Sequence, residues 1–311
     1  MMKLNIHTKS TLPGGAAFTR TRNIVLALAM MLSAALTASA QQPGQGRPDF
    51  SKIEIKDTLI TGNIHLLEGS GGNITVSAGP DGTLIVDDEF LPLAEKIDAA
   101  LGKLSDKPVQ YVINTHVHGD HTGGNSYFGQ KARIIASANL RKRLAAQTNA
   151  LPAALPAITF THDTTLYFNG EEIRLIAFGP GHTDGDAAIY FTNSRVLALG
   201  DQFVTGRFPY VDVGNGGDVR GYLKNIDDVL AWLPADAKIV PGHGVVSSVD
   251  DLKKFRAFVA ESINFVQQEI ANGKSLDEVK ADKEFLDKYS AWRNGGRWLE
   301  AVYKSLNVKQ G

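Results

Sequence analysis

From Ile53 onward the apolar residues fall into short runs broken by Gly, Pro, Asn and Asp. Residues 53–55 and 64–67 read as strands, and 73–76 pairs with 83–86 across the turn Gly79-Pro80-Asp81-Gly82, an antiparallel start. Pro92 then opens a helix to about residue 104, because Leu93, Ile97, Ala100, Leu101 and Leu104 share one side. A buried strand follows at 109–114, then a short helix at 124–128, a strand at 134–136 and a helix at 138–148. Arg141, Lys142 and Arg143 are expected on the solvated face of that helix, and 151–156, with two prolines, is a loop.

Strands are expected again at 165–168, 172–178, 187–191 and 195–199, forming a second sheet. Another buried strand ends at Ile239-Val240. Beyond it the period changes from two to about 3.6. Residues 249–272 are amphipathic, with Leu252, Phe255, Phe258, Val259, Ile263, Val266 and Ile270 on one face and Gly273 as the stop. Shorter helical pieces are read at 276–279 and 292–306, with Trp292 and Trp298 assigned to packing. The pattern divides the chain into a catalytic region at 53–248 and a helical tail at 249–311 packed on it.

Composition changes the picture at the N-terminus. Lys3, Lys9, Arg20 and Arg22 precede an apolar run at 24–36, and Ala38-Ser39-Ala40 is a small-x-small site, so 1–40 reads as a secretory signal cleaved to leave Gln41. The Gln, Gly and Pro of 41–52 make a mobile leader. The expected location is periplasmic or secreted, with no stable membrane anchor after cleavage. The 311 residues carry a net charge of −1, which argues against a nucleic-acid partner. No cysteine is present, which removes disulfides, thiolate ligands and a thiol nucleophile.

The candidate chemistry sits at strand ends. Thr115 to Gly124 reads T-H-V-H-G-D-H-T-G-G directly after the strand at 109–114. His116 and His118, two positions apart, point the same way and can grip one ion; Asp120 and His121 can grip a second. His182 lies in the glycine-rich loop Gly179-Pro180-Gly181-His182-Thr183, Asp201 follows the strand at 195–199, and His243 follows Ile239-Val240-Pro241-Gly242. Histidine and carboxylate collected at the ends of separate strands form a ligand set for zinc, with iron or manganese also accommodated. His65 reads as structural, and His162 with Asp163 as loop polar groups.

The set H-x-H-x-D-H at 116–121, G-H-T at 181–183, G-D at 200–201 and P-G-H-G at 241–244 resembles the metallo-β-lactamase superfamily over about residues 53–247. That resemblance implies an α/β fold, the four-layer αβ/βα sandwich, and a dinuclear centre. His116, His118 and His182 would hold the first ion and Asp120, His121 and His243 the second, with Asp201 as the bridging carboxylate. Asp120 would also orient the attacking water and shuttle its proton. The ligand pattern is closer to glyoxalase II and the lactone hydrolases than to class B1 β-lactamases, which have a cysteine in place of Asp201 and no ligand in place of His121. Val204 stands where class B1 enzymes carry a lysine clamp, and Arg207, with Phe208 and Tyr210, is the expected substitute.

Two ions less the charges of Asp120, Asp201 and a hydroxide leave about one positive charge, which favours an anionic small-molecule substrate. The implied activity is an exported dizinc hydrolase opening a cyclic amide or ester, β-lactams first. The alternative is a lactonase or thioesterase. An iron redox protein is disfavoured by His118, where the diiron branch has glutamate.

Overall fold

The computed structural model describes residues 48–307, so the signal and most of the leader read from the sequence lie outside the described residues. Two sheets face each other, and their strands run in sequence order. The first has seven: β1 (Lys56–Thr61), β2 (Ile64–Glu68), β3 (Ile74–Gly79), β4 (Gly82–Val86), β5 (Val109–Ile113), β6 (Arg133–Ser137) and β7 (Ile158–Phe160). The second has six: β8 (Thr164–Phe168), β9 (Glu171–Ala177), β10 (Ala187–Phe191), β11 (Val196–Ala198), β12 (Lys238–Val240) and β13 (Ser247–Ser248). Both are mixed: β4 to β7 pair in parallel, as do β11 and β12, and the rest are antiparallel.

The alternation of side chains along each strand creates the layers. Leu66, Leu84, Val86, Ile113 and Ile135 of the first sheet meet Ile173, Leu175, Ile189, Ala198 and Val240 of the second in the central core. Their neighbours Leu67, Ile85, Val112 and Ile134 point outward onto Ile97 and Leu101 of α1 (Ala94–Leu104). Two short turns, α2 (Gly119–Thr122) and α3 (Asn125–Phe128), and α4 (Ala138–Ala145) follow on the first half. On the far side, Leu197, Ile239 and Tyr190 point onto α5 (Val219–Trp232) and α6 (Val249–Ala271). α7 (Leu276–Lys280), α8 (Lys283–Lys288) and α9 (Gly295–Asn307) complete that layer, with Trp298 and Val302 of α9 in the same apolar cluster. The result is a four-layer α/β/β/α sandwich, and both faces of β4 are buried, as its unbroken T-L-I-V run requires.

Several boundaries differ from the sequence reading. Residues 53–55 are not a strand; Ile53 and Ile55 pack sideways on the outer core, and β1 begins at Lys56. Pro92 lies in a 3-10 turn that leads into α1. β7, β13 and α8 are short pieces whose three, two and six residues carry too little pattern to announce them. The last helix starts at Gly295 rather than at Trp292. Arg143 is not simply solvated, since it forms an ion pair with Asp184 and donates to Asn215 Oδ1 at 3.1 Å. α6 starts on a capping box, in which Ser248 and Asp251 exchange bonds, and ends before Gly273, whose φ of +80° suits glycine.

Candidate metal centre

Three strand ends and one loop deliver the candidate ligands to one edge of the sandwich. β5 ends at Ile113, and Thr115-His116 follow at once. The chain then turns into α2, with His118 at its N-cap and Asp120 and His121 inside it. The amides of His121 and Thr122 both donate to the His118 carbonyl, at 3.0 Å each, so the turn fixes the spacing of these side chains. His182 lies between β9 and β10, Asp201 in a 3-10 turn after β11, and His243 after β12. Asn73 seams the two sheets here: its side-chain amide donates to the carbonyls of Pro241 and Gly244, at 2.9 and 2.8 Å.

The seven side chains converge in two groups. His116, His118, His182 and Asp201 place one ligand atom each within 4.8 Å of one another, and so do Asp120, His121 and His243. Asp201 lies between the groups, with Oδ1 3.3 Å from His121 Nε2 and 3.5 Å from His243 Nε2, and Oδ2 3.7 Å from His182 Nε2. Asp120 Oδ2 is 3.2 Å from His243 Nε2.

Hydrogen bonds on the far side orient four of the five rings. His182 Nδ1 donates to the Tyr210 carbonyl at 2.7 Å, and His118 Nε2 donates to Asp212 Oδ2 at 2.8 Å. The remaining nitrogens, His182 Nε2 and His118 Nδ1, face each other at 2.9 Å, and, despite its burial, His118 is raised by the carboxylate of Asp212. Two nitrogens that close need positive charge between or beside them, as a shared proton or as a metal ion. His121 Nδ1 donates to Asp87 Oδ2 at 2.7 Å, leaving Nε2 directed inward. Thr115 Oγ1 donates to the same Asp87 oxygen and accepts from His116 Nδ1 at 3.0 Å, which turns His116 Nε2 inward as well. That nitrogen and Asp201 Oδ1 are buried with no hydrogen-bond partner. Unsatisfied inward acceptors, with the histidines oriented by outer bonds, are the arrangement a metal-binding histidine set requires. The residues present therefore fit a bound metal.

The electrostatics agree. Burial holds His182 down to about 4, with the neighbouring His118 adding to it, and burial also holds His116 well below its usual value. Burial opposes protonation of His121 too, yet the carboxylates of Asp201, Asp87 and Asp120 outweigh it and raise that ring well above the ordinary range. Asp120 and Asp201 are lowered despite burial, chiefly by His121 for the first and His243 for the second. The cluster thus keeps its carboxylates ionised and draws in positive charge, as a proton on His121 or as a metal ion.

Two supporting residues escape a reading of the sequence. Asp87 follows β4, is 2 % exposed, accepts from Thr115 N at 2.7 Å and holds His121 and, through Thr115, His116. Its φ of +64°, unusual for a non-glycine residue, turns the carboxylate into the centre. Asp212 holds His118 across 94 positions of sequence. Acidic residues after a strand look like loop polarity, and only the strained buried conformation of Asp87 marks it.

A cleft of about 460 Å³ opens over the centre, lined among others by Asp120, Asp201, His243, Phe90, Arg207, Tyr210, Asn294 and Arg297. Arg207 and Tyr210 reach it. Phe208 touches it with one edge, but the ring is 4 % exposed and packs in an aromatic cluster with Phe258, Tyr289 and Trp292, so its main role is support. His65 bonds Asp57 and His162 bonds Thr161, both away from the centre.

This four-layer fold with strand-end His and Asp groups defines a class. The profile described as the Metallo-beta-lactamase superfamily matches residues 57–243, and the chain belongs to that superfamily of metal-dependent hydrolases. The hydroxyacylglutathione hydrolase of Nitrosococcus oceani is 28% identical over 160 residues, covering 50% of this chain and 57% of that enzyme. This chain therefore spans little more than half the length of that relative. The metallo-beta-lactamase type 2 of Bacteroides fragilis is 21% identical over 252 residues, covering 78% of this chain and 97% of that protein. Among solved structures, a metallo-beta-lactamase from Pontibacter korlensis superposes with a TM-score of 0.59 at 19% identity, over 67% of this chain and 99% of that one.

Proposed function

We propose that this chain is an exported hydrolase that opens a cyclic amide or ester at a pair of zinc ions, with β-lactam antibiotics the first candidate substrates. The observation that carries the reading is the convergence of His116, His118, His182 and Asp201 beside a second group of Asp120, His121 and His243, with the unpartnered Asp201 oxygen between them. His116, His118 and His182 would hold one ion and Asp120, His121 and His243 the other, with Asp201 placed between the two groups. The chemistry that bound divalent ions would supply there is activation of water near neutral pH and polarisation of the substrate carbonyl.

The chain's own groups do the rest. Asp120 is ionised at neutral pH and faces the cleft, where it can hold the proton of the attacking water and deliver it to the leaving nitrogen or oxygen. Phe90, Pro209 and Tyr210 wall the cleft and restrict water. Arg207 offers positive charge to an anionic substrate. Export rests on the basic and apolar N-terminal residues and Ala38-Ser39-Ala40.

A lactonase or thioesterase is the second reading. It is favoured by His121 and Asp201, a ligand set nearer to glyoxalase II and the lactone hydrolases than to class B1 β-lactamases. The test is one preparation carrying about two zinc ions per chain, assayed on a cephalosporin, an acyl-homoserine lactone and an acyl thioester. Turnover of the cephalosporin supports the first reading. Turnover of the esters alone replaces it with the second, and a preparation that binds no zinc and is indifferent to a chelator overturns both.

A further inference from the structure

Between β2 and β3 the chain passes through Gly69-Ser70-Gly71-Gly72, a short strap laid against α2. Its backbone touches the second candidate group directly. Gly72 N donates to the Asp120 carbonyl at 2.9 Å, and Gly72 lies so close to the His121 ring that an added Cβ would fall 2.1 Å from His121 Cε1. Gly71 is held as near, since its Cβ would fall 2.8 Å from the same Asp120 carbonyl oxygen. Asn73, which follows the strap, carries the contact on to the His243 segment: its backbone N donates to the Gly242 carbonyl at 2.8 Å, and its side chain holds Pro241 and Gly244. Among the described residues the strap makes no hydrogen bond to His116, His118 or His182.

One side chain holds this strap from beneath. Glu89 is fully buried, and its Oε2 accepts from Ser70 N at 3.0 Å and from Gly71 N at 2.9 Å. The Glu89 carbonyl accepts from Gly124 N at 3.0 Å, just beyond α2, so one residue grips the end of that turn through its main chain and the strap through its side chain. The position is an unfavourable one. Glu89 has a φ of +54°, its Oε1 is buried with no partner, and burial raises its carboxyl above the ordinary value although the strap amides oppose the rise. A positive φ on a residue with a Cβ and an orphaned buried oxygen persist only where the surrounding structure demands that geometry.

Glu89 lies outside the cleft lining and outside both candidate ligand groups, so it acts only through what it holds. The Gly72 bond fixes the Asp120 backbone from which that carboxylate projects, and Gly72 blocks one side of the His121 ring while Asp87 holds Nδ1. We propose that Glu89 is a positioning residue, a latch that seats the strap on Asp120 and His121 and thereby sets how tightly the second group holds its ion, independently of the first. Released, the strap would free the ring to turn and would uncover His121, which is fully buried, to water. This rests on the two-ion reading above and goes beyond it by assigning the affinity of one site to a residue that touches neither the ligand atoms nor the cleft.

The test reads the two ions separately and needs no turnover. The zinc-loaded full chain and its Glu89→Met and Gly71→Ala variants are titrated with a chromophoric chelator, and amide hydrogen exchange of residues 69–72 is followed alongside. Glu89→Met removes the accepting oxygens at similar side-chain length. Gly71→Ala leaves Glu89 intact and lifts the strap by crowding the Asp120 carbonyl, so it serves if the first variant does not fold. Either variant should weaken one ion by about 10–100-fold and leave the other within about twofold, the retained ion reporting an intact fold. The strap amides should lose protection in Glu89→Met. His243→Ala identifies the site: the zinc that this variant keeps should be held equally well when Glu89→Met is added.

Equal weakening of both ions, no weakening of either, or strap amides that exchange freely in the unsubstituted protein overturns the latch while leaving the metal centre standing. A chain that takes up fewer than two zinc ions overturns the two-ion reading, and the latch falls with it.

Discussion

At the scale of single residues, the centre depends on groups that touch no substrate. Asp87 is the clearest, because one carboxylate fixes His121 directly and His116 through Thr115. Asp87→Asn should weaken zinc binding by about 10–100-fold, read by competition with a chromophoric chelator; unchanged affinity would remove Asp87 from the support of the centre. Asp186 gives a pH signature. Its carboxyl is fully buried, accepts from Thr183 N at 2.8 Å and from Thr183 Oγ1 at 2.6 Å, and is raised by burial from 3.8 to about 7. The folded protein therefore keeps a proton that the unfolded chain releases, so this group's stabilisation is full below about pH 4 and is lost as pH rises to 7. The loss amounts to up to roughly 4 kcal/mol. Urea titrations should show the advantage of wild type over Asp186→Asn shrinking across that window; a constant gap would contradict it.

The seven candidate ligands could be picked out in the sequence because a strand end needs no histidine for packing, and five of these groups cluster near glycines that let the chain turn. Asp87 and Asp212 could not, since their roles depend on contacts 34 and 94 positions away. Arg143 was misread for the same reason: nothing near it in the chain signals Asp184, 41 positions on.

At the scale of elements, period decided what was legible. α6 was readable over its whole 23 residues because its apolar stripe is long and its capping serine and terminal glycine agree with it. β7 and α8 were not, because three and six residues cannot establish a period. α9 matters most among the helices. Trp298 is fully buried, donates from Nε1 to Ser262 Oγ at 2.9 Å, and pins the helix to α6. Trp298→Ala should cost about 3–5 kcal/mol in denaturant unfolding. A stability loss below about 1 kcal/mol would mean that the helix is held by its other contacts.

At the scale of the whole molecule, Leu66 and Leu67, and Leu197 and Ala198, lie on opposite faces of their sheets, but the four-layer order was expected from the resemblance alone. Which sheet packs on which did not follow from alternation, and came from the resemblance carried by the ligand motifs. The folded state alone assembles the ligands, so bound ions should stabilise it. With free zinc at about 1,000 times its dissociation constant the gain is about 4 kcal/mol. A chelator should lower the thermal midpoint by several degrees, and restoring zinc should reverse the change; an unmoved midpoint would argue against tightly held ions.

The seam made by Asn73 bears on how the protein matures. His116, His118, Asp120 and His121 arrive with the first sheet, while His182, Asp201 and His243 arrive with the second. Neither half can complete either cage, because the first group needs His182 and the second needs His243. On the proposed two-ion reading, cation capture would then await the docking of the two halves, and a newly made chain would have to close its own fold before it could be charged with metal.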